Sequence, residues 1–134
     1  MSKDWVNDIY EMQTKYKTRE WTEKNPDKHW QFLNFRADFL QEELDETRKA
    51  VEESDAEEIV DGLIDLCVVA IGTLDAFGVD PYKAWDEVLK ANMQKEVGRK
   101  VTRPNPLGVP DLVKPDDWEA PSHKGNYGKF DNIR

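Results

Sequence analysis

The sequence predicts an all-α protein, a four-helix bundle that continues into an extended C-terminal arm. Apolar residues recur at helical spacing almost to residue 100, and no segment alternates convincingly between apolar and polar residues as a strand does. Beyond residue 100 proline and glycine are frequent and the helical periodicity stops. We therefore expect a helical domain over residues 1–100 and, over residues 101–134, an arm that packs on the bundle or on a neighbouring subunit, with only its last residues mobile.

Residues that begin and end helices mark the boundaries within the bundle. Pro26 disfavours helical geometry just before it and ends the first helix. Asp55 followed by Glu58 gives the capping-box pattern of a helix start, and Gly78 suits a left-handed helix end. Pro81 occupies a favoured first helical position. The predicted helices cover residues 4–20, 28–53, 56–77 and 82–97.

Composition restricts the class of protein and of partner. The 134 residues fit one domain, and no apolar run approaches the roughly 20 residues that cross a bilayer. The start of the chain lacks a signal-peptide pattern, and the single cysteine, Cys67, reads as a small buried apolar residue. We expect a cytoplasmic location, in the host cell if a phage encodes the chain. The net charge of -9 argues against duplex nucleic acid as a partner, and we expect no membrane partner either.

Two sets of acidic residues are the basis of the functional prediction. Glu43 and Glu46 lie three residues apart on the second predicted helix, so that their side chains share a face. Glu58, Asp61 and Asp65 share a face of the third predicted helix, which is otherwise apolar on nearly every side. A solvated face or a favourable helix start would explain the first group and Glu58. Asp61 and Asp65 fit those explanations poorly, because a buried carboxylate is costly unless it is paired or bound to a metal.

A hard divalent cation would relieve the repulsion between converging carboxylates. Oxygen ligands favour Mg²⁺ or Mn²⁺ over Zn²⁺, since no cysteine or histidine is spaced to join them. A di-iron site needs Glu-x-x-His pairs, and the only histidines, His29 and His123, lie outside both acidic groups. The sequence therefore predicts a magnesium or manganese site between two antiparallel helices.

Several motifs, in order, resemble those of a known superfamily. The segments EELDE (42–46) and EIVD (58–61) are similar to the E-x-x-E and E-x-x-D signature of the MazG-like all-α nucleoside triphosphate pyrophosphohydrolases. This superfamily includes phosphoribosyl-ATP pyrophosphatase and dimeric dUTPase. The segments DGLIDLCVVAIGTLDAFGVD, VLKANMQK (88–95) and KPDDWEAP (114–121) resemble those of its short, often phage-encoded members. The resemblance covers about residues 28–121.

The resemblance implies Mg²⁺-dependent cleavage of deoxynucleoside triphosphates, purine nucleotides preferred, between the α and β phosphates. The implied metal ligands are Glu43, Glu46, Glu58, Asp61 and Asp65, with the pairs Glu58/Asp61 and Asp61/Asp65 left as alternatives. Glu46 is the candidate base that accepts the proton of the attacking water. The predicted substrate-binding residues are Asn92, Lys95, Arg99, Arg103, Lys114 and Trp30. Lys95 and the cations after it form a basic patch suited to the outer phosphates, while Trp30 is the preferred base contact among the aromatic residues.

One further expectation, the oligomeric state, and two competing readings of the function remain. The apolar third helix predicts at least a homodimer, and family members of this kind are often dimers or tetramers. One alternative is a dUTP or dCTP diphosphatase of the same fold. The other is a non-catalytic helical adaptor whose acidic face docks a basic partner.

Overall fold

The computed structural model describes residues 3–98 and 105–133, and these form five α-helices and two short strands. The predicted all-α class is confirmed. None of the helices described is both long and apolar enough to cross a membrane. The helices are α1 (Trp5–Lys15), α2 (Thr18–Lys24), α3 (His29–Glu52), α4 (Ala56–Ala76) and α5 (Pro81–Met93). The strands are β1 (Glu96–Gly98) and β2 (Asp111–Val113), and short 3-10 turns cover Pro26–Lys28 and Gly128–Phe130.

The chain divides into two compact units. The first comprises Met1–Pro81 with Tyr127–Arg134, and the second comprises Tyr82–Asn126. The division at residue 100 that the sequence suggests falls outside the described residues and stays a prediction.

The first predicted helix is two helices, which corrects the single helix expected over residues 4–20. α1 ends at Lys15, and Lys17 takes a left-handed conformation with φ of 64° before α2 begins. That conformation costs about 1–2 kcal/mol for a residue other than glycine. After the break, Arg19 Nη1 lies 2.6 Å from Asp75 Oδ1 and Thr22 is fully buried, which offsets the cost.

The aromatic core of the first unit surrounds Phe77, which is fully buried. Its ring stacks on Phe130 with centroids 4.6 Å apart and on Phe32 at 5.7 Å, while His29 meets it edge-on at 5.6 Å. The Lys129 amide also donates to the Phe77 carbonyl oxygen at 2.7 Å. Lys129 and Phe130 therefore contribute to the core of this unit, and the mobility of the last residues stays a prediction.

The second unit contains the strands that the sequence analysis did not find. β1 and β2 pair antiparallel, with Glu96 opposite Val113 and Gly98 opposite Asp111. α5 consequently ends at Met93 and not near residue 97. Strands of three residues are too short to produce a detectable alternation of apolar and polar residues.

α3 and α4 form a hairpin whose closest approach is set by a glycine. The side chain of Asp55 caps α4 by accepting from the Glu58 amide at 3.2 Å, as the capping box predicts. A Cβ atom on Gly62 would collide with Thr47 Oγ1 and would stand 3.2 Å from Thr47 Cβ. That hydroxyl donates to the Glu43 carbonyl oxygen at 2.7 Å, so it is held in place. Only glycine at position 62 therefore allows the two helices to pack this closely.

Gly62→Ala is expected to destabilise the protein by about 1–3 kcal/mol, because overpacking at a close helix contact outweighs the better helix propensity of alanine. In a Thr47→Ala background the hydroxyl is absent and only the tight contact of 3.2 Å to the Cβ atom of residue 47 remains, so the same substitution should destabilise the protein clearly less. Urea unfolding of the four proteins of this cycle measures both effects. An equal effect of Gly62→Ala in both backgrounds would contradict the described contact.

Candidate active site

The hairpin register decides which acidic residues face each other. Thr47 of α3 lies against Gly62 of α4. One turn earlier on α3 is Glu43, and one turn later on α4 is Asp65, because neighbours on one helix face are three or four residues apart. These two residues are half-buried and line the same cavity. The two predicted acidic helices therefore bring Glu43 and Asp65 together.

The electrostatics of Glu43 identify the other members of the cluster. Partial burial raises the pKa of the Glu43 carboxyl, and the negative charges of Asp65, Glu46, Asp61 and Glu42 raise it further, in that order. Every charge named here is negative, so each addition makes the ionised form of Glu43 less favourable.

Asp65 shows the same pattern. Partial burial raises its pKa first, followed by the negative charge of Asp61 and a hydrogen bond to the Asp61 side chain. The i, i+4 spacing of these two aspartates places both carboxyl groups on one face of α4. Acidic side chains of α3 and α4 thus repel one another in the unliganded protein.

Glu58 lies elsewhere. It is exposed, and its amide donates to the N-cap residue Asp55 at the first turn of α4. The register that sets Thr47 against Gly62 sets Glu58 one turn nearer the hairpin turn, opposite Val51. Of the two ligand pairs left open by the sequence, the geometry therefore favours Asp61 and Asp65 over Glu58 and Asp61.

The cluster suits a hard cation by its chemistry, but its side chains do not form a ready-made site. All its donors are carboxylate oxygens, the ligands preferred by Mg²⁺ and Mn²⁺. Within residues 3–98 and 105–133, however, no group of three or more His, Cys, Asp or Glu side chains is arranged to hold a metal ion. Glu46 and Asp61 are exposed, and Asp61 is already hydrogen-bonded to Asp65, so metal binding would require the carboxylates of α3 and α4 to rearrange around the ion.

A cleft extends from this cluster across the first unit. The cavity beside Glu43 and Asp65 has a volume of about 360 Å³, and Arg36 lines it as well. An aromatic pocket of about 810 Å³ shares Tyr16 and Thr18 with it. The remaining side chains of this pocket are Lys17, Trp21, Lys28, Gln31, Phe32 and Phe35.

Trp21, Phe32 and Phe35 give this pocket an aromatic wall, but Trp30, the base contact predicted from the sequence, is not among its lining residues. Trp21 and Phe32 meet edge-on with centroids 5.2 Å apart, so they form a continuous wall. Arg36, which lines the adjoining cavity, was not among the residues predicted from the sequence.

The predicted substrate-binding residues of the second unit gather around one indole. Lys95 Nζ lies 5.4 Å from the centroid of the Trp118 ring, and Lys114 Nζ lies 4.8 Å from it. The indole nitrogen donates to the Ala91 carbonyl oxygen at 2.7 Å, beside the exposed Asn92. The other two predicted residues, Arg99 and Arg103, lie outside the described residues.

Comparison with known proteins gives a family match that covers the helical part of the chain. The sequence model of the phosphoribosyl-ATP pyrophosphohydrolase family matches residues 9–92, more than half of the chain. No curated protein and no solved structure gives a significant match. The matched region contains all of α3 and α4 with their carboxylates. The chain therefore belongs to the phosphoribosyl-ATP pyrophosphohydrolase family, within the MazG-like nucleotide pyrophosphohydrolase superfamily.

Proposed function

We propose that this protein hydrolyses deoxynucleoside triphosphates between the α and β phosphates, with Mg²⁺ or Mn²⁺, to the monophosphate and pyrophosphate. The observation that carries the proposal is the pair of half-buried carboxylates, Glu43 and Asp65, facing each other across a helix hairpin. The family membership supports nucleotide pyrophosphohydrolase chemistry in general. Purine deoxynucleotides are the proposed preference within that class.

The carboxylates proposed to hold the metal are Glu43, Glu46, Asp61 and Asp65, and Glu58 is the weaker candidate. Their mutual repulsion supports this role, because a bound cation would convert an unfavourable cluster into a favourable one. A metal bound there would supply Lewis-acid polarisation of a phosphate and acidify a water molecule. Glu46 is exposed and is the proposed acceptor of the proton from the attacking water.

The remaining side chains position the substrate. Phosphoryl transfer depends mainly on orientation and on neutralisation of charge, with little covalent work by the protein. Lys95 and Lys114 bring two positive charges to one indole ring, which supports their proposed role as phosphate ligands. Asn92, Arg99 and Arg103 are proposed as further substrate contacts.

A homodimer or tetramer is also proposed. α4 presents an apolar stripe in which Val60 is 64% exposed, Leu63 52% and Ile64 44%. Contiguous apolar surface of this kind is typical of a surface that another chain covers. A second copy of the same chain is the simplest occupant, because most soluble oligomers are symmetric homo-oligomers.

The reaction is tested by product analysis after incubation with each deoxynucleoside triphosphate, dUTP and phosphoribosyl-ATP, in Mg²⁺ or Mn²⁺. We expect a monophosphate product and pyrophosphate from at least one nucleotide.

Glu43→Gln and Asp61→Asn should each lower kcat/KM by at least about 100-fold, since loss of a second-shell partner alone typically costs 10–100-fold at metal sites.

Asp38→Asn is the matched control, because Asp38 is an exposed carboxylate on the same helix, α3. Its activity should stay near that of the wild type, and all variants should keep their helical circular dichroism. If Glu43→Gln retained near wild-type activity, the carboxylate assignment would be wrong. If no nucleotide were cleaved in either metal, the adaptor interpretation would replace the enzyme.

Glu43→Gln should also stabilise the metal-free protein. Folding raises the pKa of Glu43 and Asp65 above the ordinary values of 4.5 and 3.8, so both carboxyls favour the folded state when protonated. Their contribution is therefore greatest below the ordinary pKa values and is lost as pH rises through the raised ones. Glu43→Gln should raise the metal-free Tm at pH 7, and the gain should shrink as the pH falls toward 4.5.

Thermal melts from pH 4 to pH 8, with and without Mg²⁺, measure this effect. Mg²⁺ should raise the Tm of the wild type at pH 7 by binding the folded state, and it should raise that of Glu43→Gln much less. A lower Tm for metal-free Glu43→Gln than for the wild type would show that repulsion does not govern the cluster.

A further inference from the structure

Arg36 is a half-buried cation without a carboxylate partner. Among the described residues the ion pairs join Arg19 to Asp75 and Lys24 to Glu20, and neither includes Arg36. The Nε atom of Arg36 is buried and has no hydrogen-bond partner. Burial also lowers the pKa of its guanidinium group. An uncompensated charge in such a place is costly, and an anion would relieve the cost.

A buried glutamine holds this guanidinium in position. Gln13 is 2% exposed, and its Nε2 donates to the Gly72 carbonyl oxygen at 3.0 Å and to Asp75 Oδ2 at 2.7 Å. With both amide hydrogens used, its Oε1 accepts from Arg36 Nη2 at 2.9 Å. The guanidinium also lies over the Phe32 ring, with Cζ 5.3 Å from the ring centroid. Both groups are uncharged, so they orient the guanidinium without cancelling its charge.

The carboxylates near Arg36 do not pair with it. Asp75 pairs with Arg19 at 2.6 Å. Glu43 and Asp65 line the same cavity as Arg36, but among the described residues no ion pair joins either carboxylate to Arg36. The cavity of about 360 Å³ combines carboxylates that lack a cation with a guanidinium that lacks an anion.

We propose that Arg36 binds a phosphate group of the nucleotide in the cavity lined by Glu43 and Asp65. This inference rests on the proposed function and adds to it the residue that contacts the phosphate on the guanidinium side of the cavity. When a phosphate group binds together with a divalent cation, the phosphate can pair with the guanidinium and the cation can pair with the carboxylates of the cavity. Arginine suits the role because its planar group donates two parallel hydrogen bonds to phosphate oxygens.

The test uses inorganic triphosphate with excess Mg²⁺, a probe that carries phosphates but neither base nor sugar. Its apparent affinity is measured from the Tm increase of the wild type, Arg36→Gln, Arg36→Lys and Arg48→Gln. Arg48 is an exposed arginine of the same helix, α3, and supplies the matched control. We expect Arg36→Gln to weaken binding by about tenfold or more, since a charge-assisted hydrogen bond is lost. Arg36→Lys should recover part of the affinity, and Arg48→Gln should retain all of it.

A merely structural role for Arg36 predicts a different pattern. Arg36→Gln would then have a lower Tm without the probe but an unchanged affinity for it, and this result would overturn the proposal. If Arg36→Gln does not fold, Arg36→Met replaces it, because the flexible apolar side chain of methionine can pack against the Phe32 ring in place of the guanidinium and carries no charge.

Steady-state kinetics with the best nucleotide separates this inference from the proposed function. Hydrolysis by the wild type, with unchanged kcat and KM in Arg36→Gln, would overturn the role of Arg36 and leave the enzyme intact. Triphosphate binding that is lost in Arg36→Gln, without hydrolysis of any nucleotide, would support the phosphate site and refute the enzyme. Absence of both binding and hydrolysis in the wild type would overturn both proposals.

Discussion

The close approach of α3 and α4 at Thr47 and Gly62 is the contact on which the rest of the site depends. Because glycine leaves no Cβ there, the helices pack close enough for short carboxylate side chains to meet across the gap. A larger residue would push the helices apart, and Glu43 and Asp65 would then face solvent separately. Gly62, which has no side chain, thus controls the distance between Glu43 and Asp65, the carboxylates of the proposed site.

This arrangement brings several carboxylates together at a partly buried place, where burial alone already disfavours the ionised form of each carboxyl group. Glu43 and Asp65 both have raised pKa values in the folded protein, so at neutral pH they oppose folding. Stabilising contacts lie elsewhere in the same unit, where Arg19 pairs with Asp75 and the rings of the core surround Phe77. The stability of the hairpin is therefore supplied by contacts outside the cluster, which is the common division between functional sites and the structure that supports them.

Long, periodic elements were predictable from the sequence, and short-range interruptions were not. α3 and α4 are specified by apolar periodicity over many turns and by the Asp55 cap. The break at Lys17 carries no such signal, since it depends on tertiary contacts of α2 that outweigh local propensity. Arg36 was not predicted for a related reason. Its contact with Gln13 and its place in the cavity depend on the tertiary structure and have no pattern in the sequence.

The choice between Glu58/Asp61 and Asp61/Asp65 illustrates where sequence reasoning ends. On a single helix both pairs share a face, because spacings of three and four residues are equivalent within about one turn. Packing against α3 makes the two pairs different, since only one of them can lie at the same position along the hairpin as Glu43. Gly62 packs against Thr47 and so fixes the register in which Asp65 and Asp61, and not Glu58, raise the pKa of Glu43. The residue that distinguishes the two proposed ligand pairs is therefore one that could contribute no ligand, and chemical motifs alone could not have found it.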